Sequence, residues 1–395
     1  MVKLVAMLTL MAMLLLHAPI WAEIPPPPIK LGMSAALSGP AQSLGTDMKI
    51  GIESYLARVN EEGGISGRQL ELIAMDDGYV PEEAIRNMNA LIDKEKVIAI
   101  VGNVGTPTAQ VTVPIGTEKK TLMFGFFTGA GLLRTTPPNR YVLNYRASYV
   151  QETAAMVQGL LDQGILPYEI AIFAQNDAYG DAGYAGVIQG LEAAGNLQGL
   201  RLVQGRYERN TLEVETALLK IIEAPIKPRA IIMIGTYEPC AKFIRLARRV
   251  LPDATYLNVS FVGSQALMNA LGPDSEGLVI TQVVPHFDSD LPLTREYLRD
   301  LEAYAPKADP GFVSLEGYVV ARIFVEGLRR AGPDVDRETI IESLLSIENV
   351  DIGLGTPVGF TRENHQASHI VWPTVIRNGR FEPFAFELPE KGVAP

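Results

Sequence analysis

The chain has 395 residues, 47% of them hydrophobic, which is room for about two domains at roughly 150 residues each. Its 34 Lys and Arg against 45 Asp and Glu give a formal charge of −11, and an acidic chain is repelled by nucleic acid phosphates and anionic membrane surfaces. A single cysteine, Cys240, excludes an internal disulfide and a multi-cysteine metal site, and four histidines without an H-E-x-x-H spacing do not suggest a metal centre.

Taken from the N-terminus, Lys3 precedes an apolar run from Leu4 to Leu16, with small residues following at Ala18 and Ala22. The run is shorter than the roughly 20 residues a membrane span needs, and Pro25 to Pro28 follow at once. This pattern predicts a signal peptide over 1–22, cleaved after Ala22. No cysteine stands there to carry a lipid. The mature chain, with a charge of 33 − 45 = −12, is therefore expected to be released into the periplasm as a soluble protein, not a lipoprotein and not membrane-anchored.

From there strand and helix alternate. The pattern predicts a buried strand at Ile29–Leu37, a helix at Met48–Val59, a strand at Leu70–Met75 and a helix from Pro81 to Lys94. A strand at Val97–Val101, a helix at Pro107–Lys119 and a strand at Thr121–Phe126 follow. After Tyr149 the rhythm restarts with helices predicted at Glu152–Gln163, Gly183–Ala194, Leu212–Ile222 and Pro239–Val250. Strands are predicted at Ile170–Ala174, Arg201–Tyr207, Ala230–Ile234 and Tyr256–Val262. The end differs: helices at Glu296–Tyr304, Leu315–Ala331 and Glu338–Ile347, then strands at Ser368–Val375 and Arg380–Phe384. Two runs of alternating strand and helix imply an α/β protein with two parallel, doubly wound sheets.

In such sheets a ligand sits beyond the carboxyl ends of the strands. The residues expected there are Ser38-Gly39-Pro40, Gly102 to Thr106, Phe127 to Ala130, Asn176 to Gly180, Gly235 to Glu238 and Gly263-Ser264-Gln265. Gly105 and Gly129 permit close backbone approach, Thr106 and Thr128 bring hydroxyls, and helix N-termini favour an anion. Tyr179 and Tyr237 offer apolar faces with polar tips. Helix capping by the threonines is the plainer alternative for each taken alone. Catalytic signatures are missing: there is no G-x-S-x-G, no G-x-x-x-x-G-K-[ST] and no G-x-G-x-x-G, and Thr128 to Gly131 has the wrong spacing for a dinucleotide turn. Asp76-Asp77 reads as a solvated turn and cap, and Cys240 as a buried, inert thiol. No enzyme activity and no cofactor are expected.

These segments, in this order, resemble the leucine/isoleucine/valine-binding protein family, type I periplasmic solute-binding proteins of ABC transporters. The resemblance runs from about Ile29 to Phe384. It is carried by Leu37-Ser38-Gly39-Pro40, by Asn60 to Arg68 (NEEGGISGR), and by Asp76-Asp77 with Pro81. Gly102, Thr106, Thr108 and Gln110 continue it, then Arg146-Ala147-Ser148, Asp177 with Tyr179-Gly180, and Gly235-Thr236-Tyr237. It implies two lobes on a three-stranded hinge, with crossovers near Arg146–Gln151, Val284–His286 and His369–Trp372. Lobe 1 is then 29–146 plus 286–369, and lobe 2 is 147–285 plus 370–391.

It further implies a solute carboxylate held at Thr106 and at Thr128-Gly129-Ala130, a wall at Leu44, and aromatic cover from Tyr179 and Tyr237. With Tyr79, Gly105, Tyr149, Glu238 and Gln265, these are the candidate ligand-binding residues. Family members commonly set an acid against the ligand's ammonium. Positions for it fall at Gln265 and near Gln151, neither acidic, so either Glu238 substitutes or the pocket suits a ligand without an ammonium. Some members bridge two lobe-1 loops by a disulfide at the positions of Tyr79 and Gly105, where this chain has no cysteine. Tyr79 then either leans over the cleft or packs within its loop. The implied function is capture of an amino acid or related organic acid by hinge closure, with permease subunits as partners. A sensor role and an enzyme in the same cleft are the rivals.

Overall fold

β1 (Ile29–Ala35) is buried along nearly all its length, as expected of a parallel strand covered by helices on both faces. It pairs in parallel with β2 (Leu70–Asp76) and β3 (Ala99–Val101). The computed structural model to which it belongs describes residues 26–195 and 202–386. The signal peptide predicted over 1–22, Arg201 of the strand predicted there, and residues 387–391 of the second lobe lie outside them.

β4 (Leu122–Phe124) and β5 (Val142–Leu143) complete a five-stranded parallel sheet in the order β2-β1-β3-β4-β5. A second sheet runs β12-β11-β10-β9-β8-β6-β7. Its strands are β6 (Ile170–Gln175), β7 (Val203–Tyr207), β8 (Ala230–Ile234), β9 (Thr255–Asn258), β10 (Val279–Gln282), β11 (Trp372–Arg377) and β12 (Arg380–Pro383). All pair in parallel except β11, antiparallel to both β10 and β12. Asn378 and Gly379, both with positive φ, form the two-residue turn of the β11–β12 hairpin.

The first sheet is wrapped by α1 (Gln42–Glu61), α2 (Pro81–Asn89), α3 (Thr106–Glu118) and three helices from the chain's return, α9 (Pro292–Tyr304), α10 (Phe312–Ala331) and α11 (Thr339–Leu345). α10 lies tightly against α1. A Cβ on Gly51 would come 1.9 Å from the Ser314 carbonyl oxygen, and one on Gly317 2.3 Å from that of Met48. The second lobe carries α4 (Tyr149–Asp162), α5 (Ala178–Ala193), α6 (Glu215–Ile222), α7 (Tyr237–Ala247) and α8 (Ser264–Leu271). Three segments pass between the lobes. Asn144 pairs with Gln366 in parallel, and the Tyr145 hydroxyl donates to the Val283 carbonyl at 3.1 Å.

Several expectations need correction. β5, β10 and α8, of two, four and eight residues, were not anticipated. The first helix starts at Gln42, six residues before the predicted Met48. The strand predicted from Tyr256 to Val262 stops at Asn258, and Ser260–Val262 forms a 3₁₀ turn that buries Phe261. The strand predicted from Ser368 begins at Trp372, since Gln366 to Ser368 pair with the hinge instead.

Candidate functional site

In both sheets the strand order reverses beside a central strand, between β1 and β3 and between β6 and β8. The loops leaving these four strands therefore define the ligand position of a doubly wound fold. They meet across the lobes, and the residues they bring together are buried.

On the first lobe, Gly105 (φ +107°) turns the chain into α3 and leaves no room for a side chain, since a Cβ would sit 2.3 Å from the Tyr79 ring. Thr106 opens the helix, yet no side chain caps it. The Thr106 hydroxyl instead lies 2.6 Å from that of Thr128, and Thr128 in turn donates to the Tyr149 hydroxyl at 3.2 Å and accepts from the Ala130 amide at 3.3 Å. Capping thus does not explain Thr106. The Tyr149 amide donates to the Gly129 carbonyl at 2.8 Å, pinning the loop to the start of α4. Burial pushes the Tyr149 hydroxyl up to about 12 against the lowering pull of Arg146 and Thr128, so it is a neutral donor at pH 7.

Behind this loop stands Arg134, which the sequence reading missed. Its guanidinium donates to the carbonyls of Ala130 (3.0 Å), Thr128 (3.5 Å) and Arg146 (2.9 Å) and to Gln366 Oε1 (2.7 Å). None of the ion pairs among the described residues includes it.

The second lobe contributes rings. Tyr179, in the first turn of α5, packs 5.4 Å from Tyr149 and 4.7 Å from Phe261, centroid to centroid. Phe261 also meets Phe127 at 5.1 Å and Tyr79 at 6.2 Å. Tyr79 is held in a left-handed conformation (φ +62°) by its amide's bond to Asp77, and its hydroxyl accepts from Gln175 Nε2 of the other lobe at 3.4 Å. It packs on the neighbouring lobe-1 loop at Gly105 and also reaches across the cleft. Tyr237 likewise crosses, accepting from the Ser43 amide at 3.4 Å. Leu44 packs so close to Gly263 that a Cβ there would lie 2.6 Å from Leu44 Cδ2. These contacts tie the loops of the two lobes together around the aromatic cluster.

A buried ion cluster joins the lobes at the hinge. Arg146 Nη2 lies 3.3 Å from Glu152 and also bonds Ser260, while Nη1 is 3.6 Å from Glu316 on α10. Glu152 further accepts from the Ser260 amide (2.8 Å) and Thr281 hydroxyl (2.7 Å). The guanidinium stacks 4.8 Å over the Phe127 ring, directly under the aromatic cluster. Burial pushes the Glu316 carboxyl up to about 7, against the pull of Arg146.

Other residues are placed differently from the sequence reading. Glu238 is exposed in the first turn of α7, pointing its charge to water while Tyr237 beside it is buried. Gln265 is half-buried, donates to Asn269 (3.0 Å), and lines a cavity of about 210 Å³ with Ser43, Asp47 and Asp309 at the edge of the lobe interface. Asp76 is the exposed turn residue expected, but Asp77 is buried, bonded to Ser34 (2.7 Å), and its carboxyl is pushed up to about 6 by burial. Gln151 caps α4 and bonds His369 at 2.9 Å. Cys240 is buried and its thiol pushed up to about 12 by burial, which makes it inert. Among the described residues no group of three or more His, Cys, Asp and Glu could hold a metal, and no helix is long and apolar enough to cross a membrane.

A family model described as periplasmic binding protein matches residues 28–380. The leucine-, isoleucine-, valine-, threonine- and alanine-binding protein of Pseudomonas aeruginosa is 24% identical over 323 residues, covering 80% of this chain and 82% of that one. The crystal structure of a possible leucine/isoleucine/valine-binding protein from Rhodopirellula baltica SH 1 superposes with a TM-score of 0.88 at 45% identity, covering 93% of this chain and 98% of the other. A substrate-binding periplasmic protein from Ralstonia solanacearum gives 0.82 at 30% identity, covering 90% and 100%.

Proposed function

This chain belongs to the periplasmic binding protein family, whose members are solute-binding proteins and not enzymes, and on that premise we propose that it captures a small carboxylate-bearing solute for an ABC importer. The solute class is an amino acid, branched-chain or other, or a related organic acid. The observation that carries this reading is the convergence of the Thr106, Thr128 and Tyr149 hydroxyls, buried together beyond the carboxyl ends of β3, β4 and β5. A carboxylate takes two or more such donors, and each hydrogen bond to a charged group contributes roughly 1.5–3 kcal/mol. The rings of Tyr79, Tyr179, Tyr237 and Phe261 supply the apolar cover and exclude water on closure.

Lobe 1 is assigned to 29–146 plus 286–369 and lobe 2 to 147–285 plus 370–391. The protein is exported by the leader over 1–22, works in the periplasm, and delivers its cargo to permease subunits in the inner membrane. Relatives named for leucine, isoleucine, valine, threonine and alanine support the transport assignment. The test is a thermal-shift screen of amino acids, aliphatic and aromatic acids, amides and sugars. A solute at 100 times its Kd stabilises the folded state by about 2.7 kcal/mol. A rise in Tm confined to carboxylates supports the reading, and a rise with sugars or neutral amides but no carboxylate overturns it.

A further inference from the structure

Resting on the carboxylate reading above, we infer that the solute is a carboxylic acid without an ammonium group, and that Arg134 is the positioning residue that supplies its countercharge through the Thr128–Ala130 loop.

The carboxylates that reach the aromatic cluster are already engaged. Asp177 Oδ2 accepts from Arg209 (3.1 Å) and Gln175 (2.8 Å), and Oδ1 from the Tyr179 amide (3.0 Å). Asp77 holds Ser34 and the Tyr79 amide. Glu152 and Glu316 flank Arg146. Glu238 faces solvent, and Gln265 is a neutral carboxamide. A solute ammonium buried within the aromatic cluster would meet none of these as a free partner, and an unpaired buried charge is costly; Asp47 and Asp309, which no ion pair among the described residues includes, line the cavity beside Gln265.

The cations are engaged differently, and the two glutamates that flank Arg146 also act on Arg134. Arg209 is matched by Asp177, and Arg146 by Glu152 and Glu316. Arg134 has only neutral acceptors among the described residues, and three of them are main-chain carbonyls, two from the loop that carries Thr128 and Ala130. Its bond to the Thr128 carbonyl turns the Gly129 N–H the opposite way, because the two are antiparallel across a trans peptide. A guanidinium therefore polarises a loop that offers N–H and O–H donors on its other side, a preorganised place for one negative charge. Burial and the neighbouring Arg146 lower Arg134 to about 9, against the raising pull of Tyr149, Glu316 and Glu152, which leaves it a cation at neutral pH.

The experiment is isothermal titration of the purified protein with two matched series: 4-methylpentanoate, L-leucine and 4-methylpentanamide; and 3-phenylpropanoate, L-phenylalanine and 3-phenylpropanamide. In at least one series the plain acid is expected to bind about tenfold or more tighter than its amino acid and its amide. Arg134→Gln is expected to cut the acid's affinity about tenfold and leave the amide's unchanged, with Arg134→Lys keeping part of the preference. Tighter binding of the amino acids overturns the inference, leaves the carboxylate reading standing, and directs attention to Asp47 beside Gln265. Amides binding as tightly as acids, or no binding in either series at millimolar concentration, overturns the carboxylate reading and the inference with it. The wild-type comparison stands even if the variants fail to fold, and an unchanged acid-to-amide ratio in a folded Arg134→Gln removes Arg134 from the account.

Discussion

Thr106→Val removes one hydroxyl and keeps the shape of the side chain, so its consequences can be worked from the contacts. In the closed cleft the Thr106 hydroxyl touches the Thr128 hydroxyl at 2.6 Å, and Thr128 retains a second partner in Tyr149 at 3.2 Å. The helix that Thr106 opens takes no cap from its side chain. Loss of the hydroxyl thus deletes one buried hydrogen bond without stranding its partner, a cost of about 1 kcal/mol to the unliganded fold. With a carboxylate bound, the same hydroxyl donates to a charged group. Its loss then costs roughly 1.5–3 kcal/mol of binding, or about a ten- to hundredfold rise in Kd. Titration calorimetry reads the affinity and urea unfolding the stability. Stability lowered with affinity intact would refute the assignment and leave Thr106 a structural residue.

Two further outcomes follow from contacts at the interface and hinge. Gly263→Ala places a Cβ 2.6 Å from Leu44 Cδ2 across the closing lobes, where ordinary carbon contacts lie at about 3.5–4.0 Å. The strain of an alanine at φ +81° weighs on the open and closed forms alike, whereas displacing Leu44 off its rotamer costs about 0.5–1.5 kcal/mol in the closed form only, so solute affinity should fall several-fold; unchanged affinity in a folded Gly263→Ala would contradict a contact made on closure. Glu316 binds its proton more tightly folded than unfolded, so its own contribution to stability is full below the ordinary carboxylate range and is lost as pH rises through about 7. That loss is on the order of 1–3 kcal/mol, and Glu316→Gln should flatten the pH dependence of Tm between about 4.5 and 7, whereas an unaltered slope would place Glu316 outside this linkage.

The parallel strands were legible because each is an apolar run flanked by helical periodicity: Ile29, Ile170 and Ala230 each begin a strand where the reading placed one. β10 was lost because Val279–Gln282 is four residues long and ends in Thr281 and Gln282, which are buried by bonding Glu152, Ser264 and Thr374. The start of α1 was hidden by Gly45, Thr46 and Asp47, poor helix formers whose conformation is set by packing against the returning α10. Thr106, Thr128 and the tyrosines are candidates in the sequence because they follow strand ends, and the fold buries them together. Glu238 stands apart from the buried cluster because a helix start presents neighbouring residues to different sides, burying Tyr237 and exposing its neighbour. Arg134 gave no sequence signal, since its partners include Gln366, 232 residues away. Arg146 stood in the Arg146-Ala147-Ser148 segment, but that it unites Glu152, Ser260 and Glu316 is visible only in three dimensions.

Closure of the two lobes on a solute is the central claim, and an interlobe distance tests it most directly. Spin labels on Glu118→Cys at the end of α3 and Glu192→Cys near the end of α5 sit at exposed positions on opposite lobes, while native Cys240 is buried and unreactive. Without solute, double electron–electron resonance should record a broad distribution that includes an open population; with saturating solute it should collapse to one narrow distance. The same distribution with and without solute at saturation would contradict the clamp.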